Sequence, residues 1–174
     1  MLNERQLVVL VQERLPYDTR LFQQLITPYL PELKGYCVKL LNNQSDAEDV
    51  VQETLIKTLK NLKAFKWVVS FRAWLFKIAY NECINKIRER RWGIIENDEE
   101  YLENLIDEKT DSEDPASVLS ELIQHLSLTD RNIMLLRYRS ELSFQDIANI
   151  HQLKLSAVKM RHKRVVEFLK QKLK

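Results

Sequence analysis

With 174 residues but only two glycines and four prolines, the chain suits one ordinary domain or two small ones and lacks the turn residues of a β-rich fold. Leu, Lys, Glu, Gln, Arg and Ile dominate, residues that mostly tolerate helix interiors, so the expected class is all-α. The formal net charge of +2 excludes little by itself, and no apolar run approaches the roughly 18–20 residues of a membrane span.

Residues 1–18 read as an N-terminal extension. Their apolar patch, Leu7 to Val11, is flanked by Glu4, Gln12 and Glu13, and no small-residue cleavage site follows. A signal peptide is therefore not expected, and a cytoplasmic location is. Residues 19–92 form a first basic block, with 13 Lys/Arg against 7 Asp/Glu. Four helices are expected there: Thr19 to Thr27, Pro31 to Leu41 with proline in the first turn, one capped by Ser45, and one running from a Ser70 cap to Arg91. Ser45 to Glu48 has capping-box spacing, and Val50, Val51, Thr54, Leu55, Thr58 and Leu62 form the third helix's apolar stripe. Phe71, Trp74, Leu75, Ile78 and Ala79 form that of the fourth.

Residues 93–115 are different: one Lys against 10 Asp/Glu. They read as an acidic linker with one short amphipathic turn around Ile94, Ile95, Leu102, Leu105 and Ile106. Residues 116–174 are basic again, 11 Lys/Arg against 5 Asp/Glu. Here the expected helices are Ala116 to Leu126, one capped by Thr129 and reaching Arg139, a short one from Phe144 to Ile150 boxed by Ser143 and Asp146, and a long last one. The last two, separated by a turn at His151 to Lys154, have the helix-turn-helix pattern. Two basic blocks around an acidic one suggest two polyanion-binding modules on a linker, although solvated lysine-rich faces give the same count.

The faces carry the chemistry. With Val158 set inward on the last helix, His162, Val165 and Leu169 fall within about 40° of it. Ser156, Met160, Lys163 and Glu167 then lie opposite, with Lys159 and Arg164 on the flanks. That division suits a helix that reads base edges and phosphates; an ordinary amphipathic helix with lysines outward is the bland alternative. In the third helix Asp46, Glu48, Asp49, Gln52 and Glu53 make a negative, amide-bearing surface that repels DNA and suits a basic or amide-rich protein helix. The same carboxylates lack a second ligand source, so no metal is expected. In the segment LKAFKWVVS, Phe65 and Trp67 either enter the core or stack on unpaired bases, while Lys63 and Lys66 meet phosphates. Cys37 and Cys83 have no metal-ligand spacing and read as buried thiols. His125, His151 and His162 are scattered. No nucleophile–base arrangement or phosphate-cradling loop appears, so neither an enzyme nor a cofactor is expected.

The stretches DAEDVVQETLIKTLKN, SFRAWLFKIAYNECINKIRERR, LSLTDRNIMLLRYRSELSFQDIAN and AVKMRHKR together resemble the extracytoplasmic-function group of the sigma-70 family. The similarity covers roughly residues 19–92 and 116–172. It implies sigma domain two, an acidic linker, then sigma domain four with its helix-turn-helix. The implied function is an alternative sigma factor that binds core RNA polymerase and directs initiation at promoters with minus-ten and minus-thirty-five elements. The resemblance assigns Asp49, Gln52 and Glu53, within the surface that includes Asp46 and Glu48, to the polymerase clamp helix. It assigns the Lys63–Ser70 loop, with Phe65, Lys66 and Trp67, and the helical positions Lys77, Asn81, Asn85 and Arg88 to the melted minus-ten element. Ser156, Lys159, Met160, Lys163 and Arg164 would read the minus-thirty-five element. Implied partners are core RNA polymerase and promoter DNA, with a membrane-anchored anti-sigma factor as a further candidate. The chain departs from the family pattern at Gln152 and Lys154, where Gly and Ser are usual. Its turn must form without glycine, and Ser156 becomes an alternative cap. Val68 and Val69 replace polar residues in the loop. The helical domain of primary sigmas between the two modules is missing, and a stand-alone DNA-binding regulator remains the competing class.

Overall fold

A computed structural model describes residues 2–91 and 115–173, and among them all regular structure is helical. The chain divides into two compact units, Met1–Ile87 and Arg88–Lys174. Most of the acidic 93–115 segment, with its expected amphipathic turn, lies outside the described residues.

The first unit opens with α1 (Glu4–Arg14), a helix within the stretch expected to be only an N-terminal extension. Asn3 and Gln6 close a reciprocal capping box: Gln6 N–H donates to Asn3 Oδ1 at 2.8 Å and Asn3 N–H to Gln6 Oε1 at 3.0 Å. Val8 and Val11 are fully buried in a core shared with Phe22, Leu25, Ile26, Leu62, Phe65, Phe71 and Leu75. Each such side chain contributes on the order of 1.5–3 kcal/mol. Then come α2 (Arg20–Ile26), a 3-10 turn (Thr27–Tyr29) and α3 (Leu30–Leu41). Pro28 and Pro31 each sit in a first turn, where a missing N–H costs nothing.

Asn42, in the left-handed region at φ 49°, ends α3. Asn43 is extended, and its side chain accepts from Asp46 N–H, so α4 (Gln44–Asn61) starts two residues before the boundary set by a Ser45 cap. The expected Ser45 cap is corrected accordingly: only Asn43 has cap geometry once the turn is made. The apolar side of α4 lies on α3 through Ala47, Val50, Thr54 and Thr58. The two buried threonine hydroxyls donate to Val50 O and Thr54 O, both at 2.7 Å, and so are not left unpaired. A second 3-10 turn (Leu62–Ala64) and a short loop lead to α5 (Phe71–Arg91). Ser70 Oγ accepts from Ala73 N–H at 3.0 Å, as a Ser70 cap requires. Phe71, Leu75, Phe76, Ala79 and Cys83 bury α5, and Cys37 and Cys83 are buried free thiols.

The second unit is α6 (Pro115–Gln124), α7 (Leu128–Tyr138), α8 (Phe144–His151) and α9 (Leu155–Lys172). α6 stops two residues short of Leu126, and Arg131 donates to the carbonyls of Gln124 and Leu126 just beyond its end. Ser127, not Thr129, caps α7 by accepting from Asp130 N–H at 3.2 Å. The Ser143–Asp146 box is present, with bonds of 3.0 and 3.2 Å. Gln152 takes φ 55°, and Leu153 N–H donates to Ala148 O at 3.0 Å, closing α8 without glycine. Lys154 occupies the α9 cap with no side-chain bond, so the alternative cap at Ser156 is not used.

Candidate nucleic-acid and protein interfaces

Burial of Ala47, Val50, Thr54 and Thr58 turns the other side of α4 to solvent. Glu48, Asp49, Gln52 and Glu53 are exposed and Asp46 is half-buried. Lys86 from α5 reaches Asp49 at 3.2 Å and Asp46 at 3.9 Å, while Lys34 reaches Glu48 at 3.3 Å. A hydrogen bond from Gln44, reinforced by Lys34, holds the Glu48 carboxyl below its ordinary pKa. Asp46 lies in the first turn of α4, where the helix dipole favours negative charge, and Glu48, Asp49, Gln52 and Glu53 continue along its solvent side to the middle of the helix. Among the described residues, no group of three or more His, Cys, Asp or Glu is placed to hold a metal ion.

The loop after α4 divides its side chains in two. Lys63, Lys66 and Ser70 are exposed. Phe65 is only 7% exposed, edge-on to Phe71 and Trp67 and 4.9 Å from Trp74. It is therefore removed from the base-stacking candidates, because its ring faces are spent in the core. Trp67 is half-buried against the same cluster, with the Arg5 guanidinium 5.6 Å from its ring. Val68, a position where the resemblance noted a lost polar group, is 87% exposed. Further on, Lys77, Asn81, Asn85 and Arg88 are all exposed and step by four, four and three, which puts them on one strip of α5. Two contributors escaped the sequence reading: Arg5, and Gln12, whose side chain bonds the loop's backbone. The Asn3–Gln6 capping spacing was the available signal for the helix that carries them.

In the second unit, α9 lies on α7 and α8 with Val158 buried, and Val165 and Leu169 are buried in a cluster with Leu126 and Met134, lined by Leu119, Leu122 and Ile123 of α6. Arg161 ties it to Asp130 of α7 at 2.9 Å. His162 stacks on Tyr138, hydrogen-bonded to its hydroxyl at 2.7 Å, and meets the Phe144 edge at 5.0 Å. Burial, then the charge of Arg137, holds its pKa below the ordinary value. Beneath the turn, Asn132 bonds His151 Nε2 at 2.8 Å, and burial pulls the His151 pKa down to about 4. The outward side keeps Ser156, Lys159, Met160, Lys163 and Arg164 exposed, as the inward placement of Val158 requires. Met160 is 63% exposed, and Lys163 lies 3.9 Å from Glu167. A helix with such a seat and such a face can enter a groove and offer donors to base edges and phosphates.

Comparison with known proteins bears on both units. The family model "Sigma-70 region 2" matches residues 25–93, and "Sigma-70, region 4" matches residues 117–169. The chain is 30% identical over 175 residues to the RNA polymerase sigma-H factor of Pseudomonas aeruginosa, covering 92% of this chain and 90% of that one. It is 31% identical over 153 residues to the ECF RNA polymerase sigma factor SigG of Mycobacterium tuberculosis, spanning 71% of this chain but only 41% of that relative's length. Among solved structures, the sigma factor RpoE in complex with the anti-sigma factor NepR from Bartonella quintana superposes with a TM-score of 0.69 at 26% identity, over 87% of this chain and 95% of RpoE.

Proposed function

The chain belongs to the sigma-70 family, in its extracytoplasmic-function group, and from that membership we propose that it carries core RNA polymerase to a small set of promoters. In this reading Asp49, Gln52 and Glu53, flanked by Asp46 and Glu48, hold the polymerase clamp helix. Lys63, Lys66, Trp67 and Ser70 of the loop, with Lys77, Asn81, Asn85 and Arg88, engage the melted minus-ten strand. Ser156, Lys159, Met160, Lys163 and Arg164 read the minus-thirty-five duplex. The acidic charge of residues 93–115 suits a basic polymerase channel rather than DNA. Its work is binding rather than catalysis, and it takes place in the cytoplasm with the polymerase. No helix among the described residues is long and apolar enough to cross a membrane. An anti-sigma protein, of the kind RpoE binds, is a further proposed partner; whether it is membrane-anchored is part of the proposal.

The observation that carries this reading is the pair of faces on the first unit: an acid-and-amide surface on α4 and the exposed strip of Lys77, Asn81 and Asn85 on α5. A stand-alone DNA-binding regulator needs the second unit and has no use for the α4 surface. The test is equilibrium binding to core polymerase. Glu53→Ala and Asp49→Ala each remove a charge-assisted contact of about 1.5–3 kcal/mol, so affinity falls roughly 10- to 150-fold while helix content stays constant. Glu53→Ala is the cleaner of the two, since Asp49 also pairs with Lys86. Core affinity unchanged in both variants overturns the assignment.

A further inference from the structure

We propose that α1 braces the Lys63–Ser70 loop for single-strand capture, with Gln12 as the positioning residue; this rests on the reading of that loop as a minus-ten contact. Gln12 Nε2 donates to Leu62 O at 2.9 Å and to Phe65 O at 3.0 Å, across 50 and 53 residues of chain. Those carbonyls lie at the start and just past the end of the 3-10 turn where α4 runs out. Leu62 O also accepts from Phe65 N–H at 3.1 Å, so the Gln12 amide adds a second bond at one end of the turn and fastens the other through Phe65 O. Only the NH2 of the amide can donate to two carbonyls from a single atom, which fixes its orientation and makes glutamate no substitute.

The rest of α1 agrees. Arg5, Val8 and Gln12 are spaced three and four apart, hence on one strip. Arg5 lies over the Trp67 ring, Val8 is fully buried in the cluster that holds Leu62 and Phe65, and Gln12 holds the backbone. Beyond Phe65 the loop's backbone is held by a bond from Val68 N–H to Lys66 O at 2.7 Å and, at its end, by one from Trp74 N–H to Ser70 O at 3.0 Å. A loop that must present Lys63, Lys66, Trp67 and Ser70 to an unpaired strand binds more tightly when its ordering is complete beforehand. α1 ends before residue 25, where the family match begins, so nothing in that match accounts for it.

The experiment uses the full chain with core polymerase and a promoter that the wild type selects. Gln12→Leu and Gln12→Glu are compared with wild type in three measurements: amide exchange over residues 63–70, affinity of the holoenzyme for single-stranded minus-ten DNA, and affinities for core and for upstream duplex. The brace predicts faster exchange in the loop and single-strand binding weakened about tenfold, with core and upstream binding unchanged. Gln12→Glu should be at least as severe, because it sets carboxylate oxygens against two carbonyl oxygens. Leu40→Ala, a buried truncation on α3, controls for stability: it should lower the melting temperature without the single-strand defect. Wild-type single-strand affinity in both Gln12 variants overturns the brace, as does the same loss in Leu40→Ala. Failure of the wild type itself to bind the single strand overturns the minus-ten reading, and the brace with it.

Discussion

Lys163 and Arg164 are adjacent on α9, both exposed, and chemically unequal. A guanidinium can bond guanine bidentately and discriminate by about 1–3 kcal/mol, whereas an ammonium on phosphate contributes regardless of sequence. Arg164→Ala should therefore relax preference at one upstream base pair in selections on randomised DNA. Lys163→Ala should weaken binding to every promoter and lower its salt dependence. Identical base preferences for wild type, Arg164→Ala and Lys159→Ala would remove α9 from the reading role. His151 makes a different prediction. Its pKa falls to about 4 first through burial, then through Arg161, with Asp130 opposing. The folded chain thus resists a proton that the unfolded chain accepts near pH 6.5, and stability is lost as pH drops from about 6.5 towards 4, by at most roughly 1.4 kcal/mol per unit. Carboxylates titrate in the same range, so the measurement is the difference in urea stability between wild type and His151→Gln across that window. A pH-independent difference contradicts the buried neutral imidazole. The residue scale was legible wherever a helix had one apolar side: burial of Val158, Val165 and Leu169 turns the polar face of α9 outward as the spacing requires. It was not legible at Phe65, because a short loop has no periodicity to say which of two aromatics enters the core.

At the scale of elements, the helices after α1 follow from the three- and four-residue apolar steps, and Ser70 and Ser143 mark two of their starts, while the starts of α4 and α7 lie elsewhere than expected. Ser45 and Thr129 each have an acidic or cap-compatible neighbourhood, yet Asn43 and Ser127 win. The reason is backbone geometry upstream. Asn42 turns left-handed to end α3, which leaves Asn43 extended at φ −151°, ψ 121°. Ser127 is similarly placed at φ −53°, ψ 152°. Asn43→Ala should cost about 0.5–2 kcal/mol in thermal or urea unfolding, and Ser45→Ala only a few tenths. Equal costs would put the cap elsewhere. The turn between α8 and α9 gives a prediction of opposite sign. Gln152 holds φ 55°, where a Cβ is unfavourable, so Gln152→Gly should stabilise the chain by about 0.5–1 kcal/mol. α1 escaped the sequence reading for a definite reason. Leu7 to Val11 is an unbroken apolar run without a helical period, and only the structure separates buried Val8 and Val11 from exposed Val9.

For the whole molecule, charge counted by block says more than the net charge of +2, since basic stretches flank an acidic one. The compact units divide at Ile87 and Arg88, inside the first basic block, so the second unit takes in the acidic segment and the first takes in α1, whose balanced Glu4, Arg5, Glu13 and Arg14 gave charge no signal. The central claim is that one chain joins polymerase to two promoter elements. Run-off transcription with purified core polymerase over a genomic promoter pool tests it most directly. The account predicts transcripts from a small set of promoters that share an upstream and a minus-ten element, reduced by Glu53→Ala at limiting concentration and shifted in promoter preference by Arg164→Ala. Sequence-specific DNA binding with no transcript from any promoter, using core that initiates normally with another sigma factor, would contradict it and identify a stand-alone regulator instead.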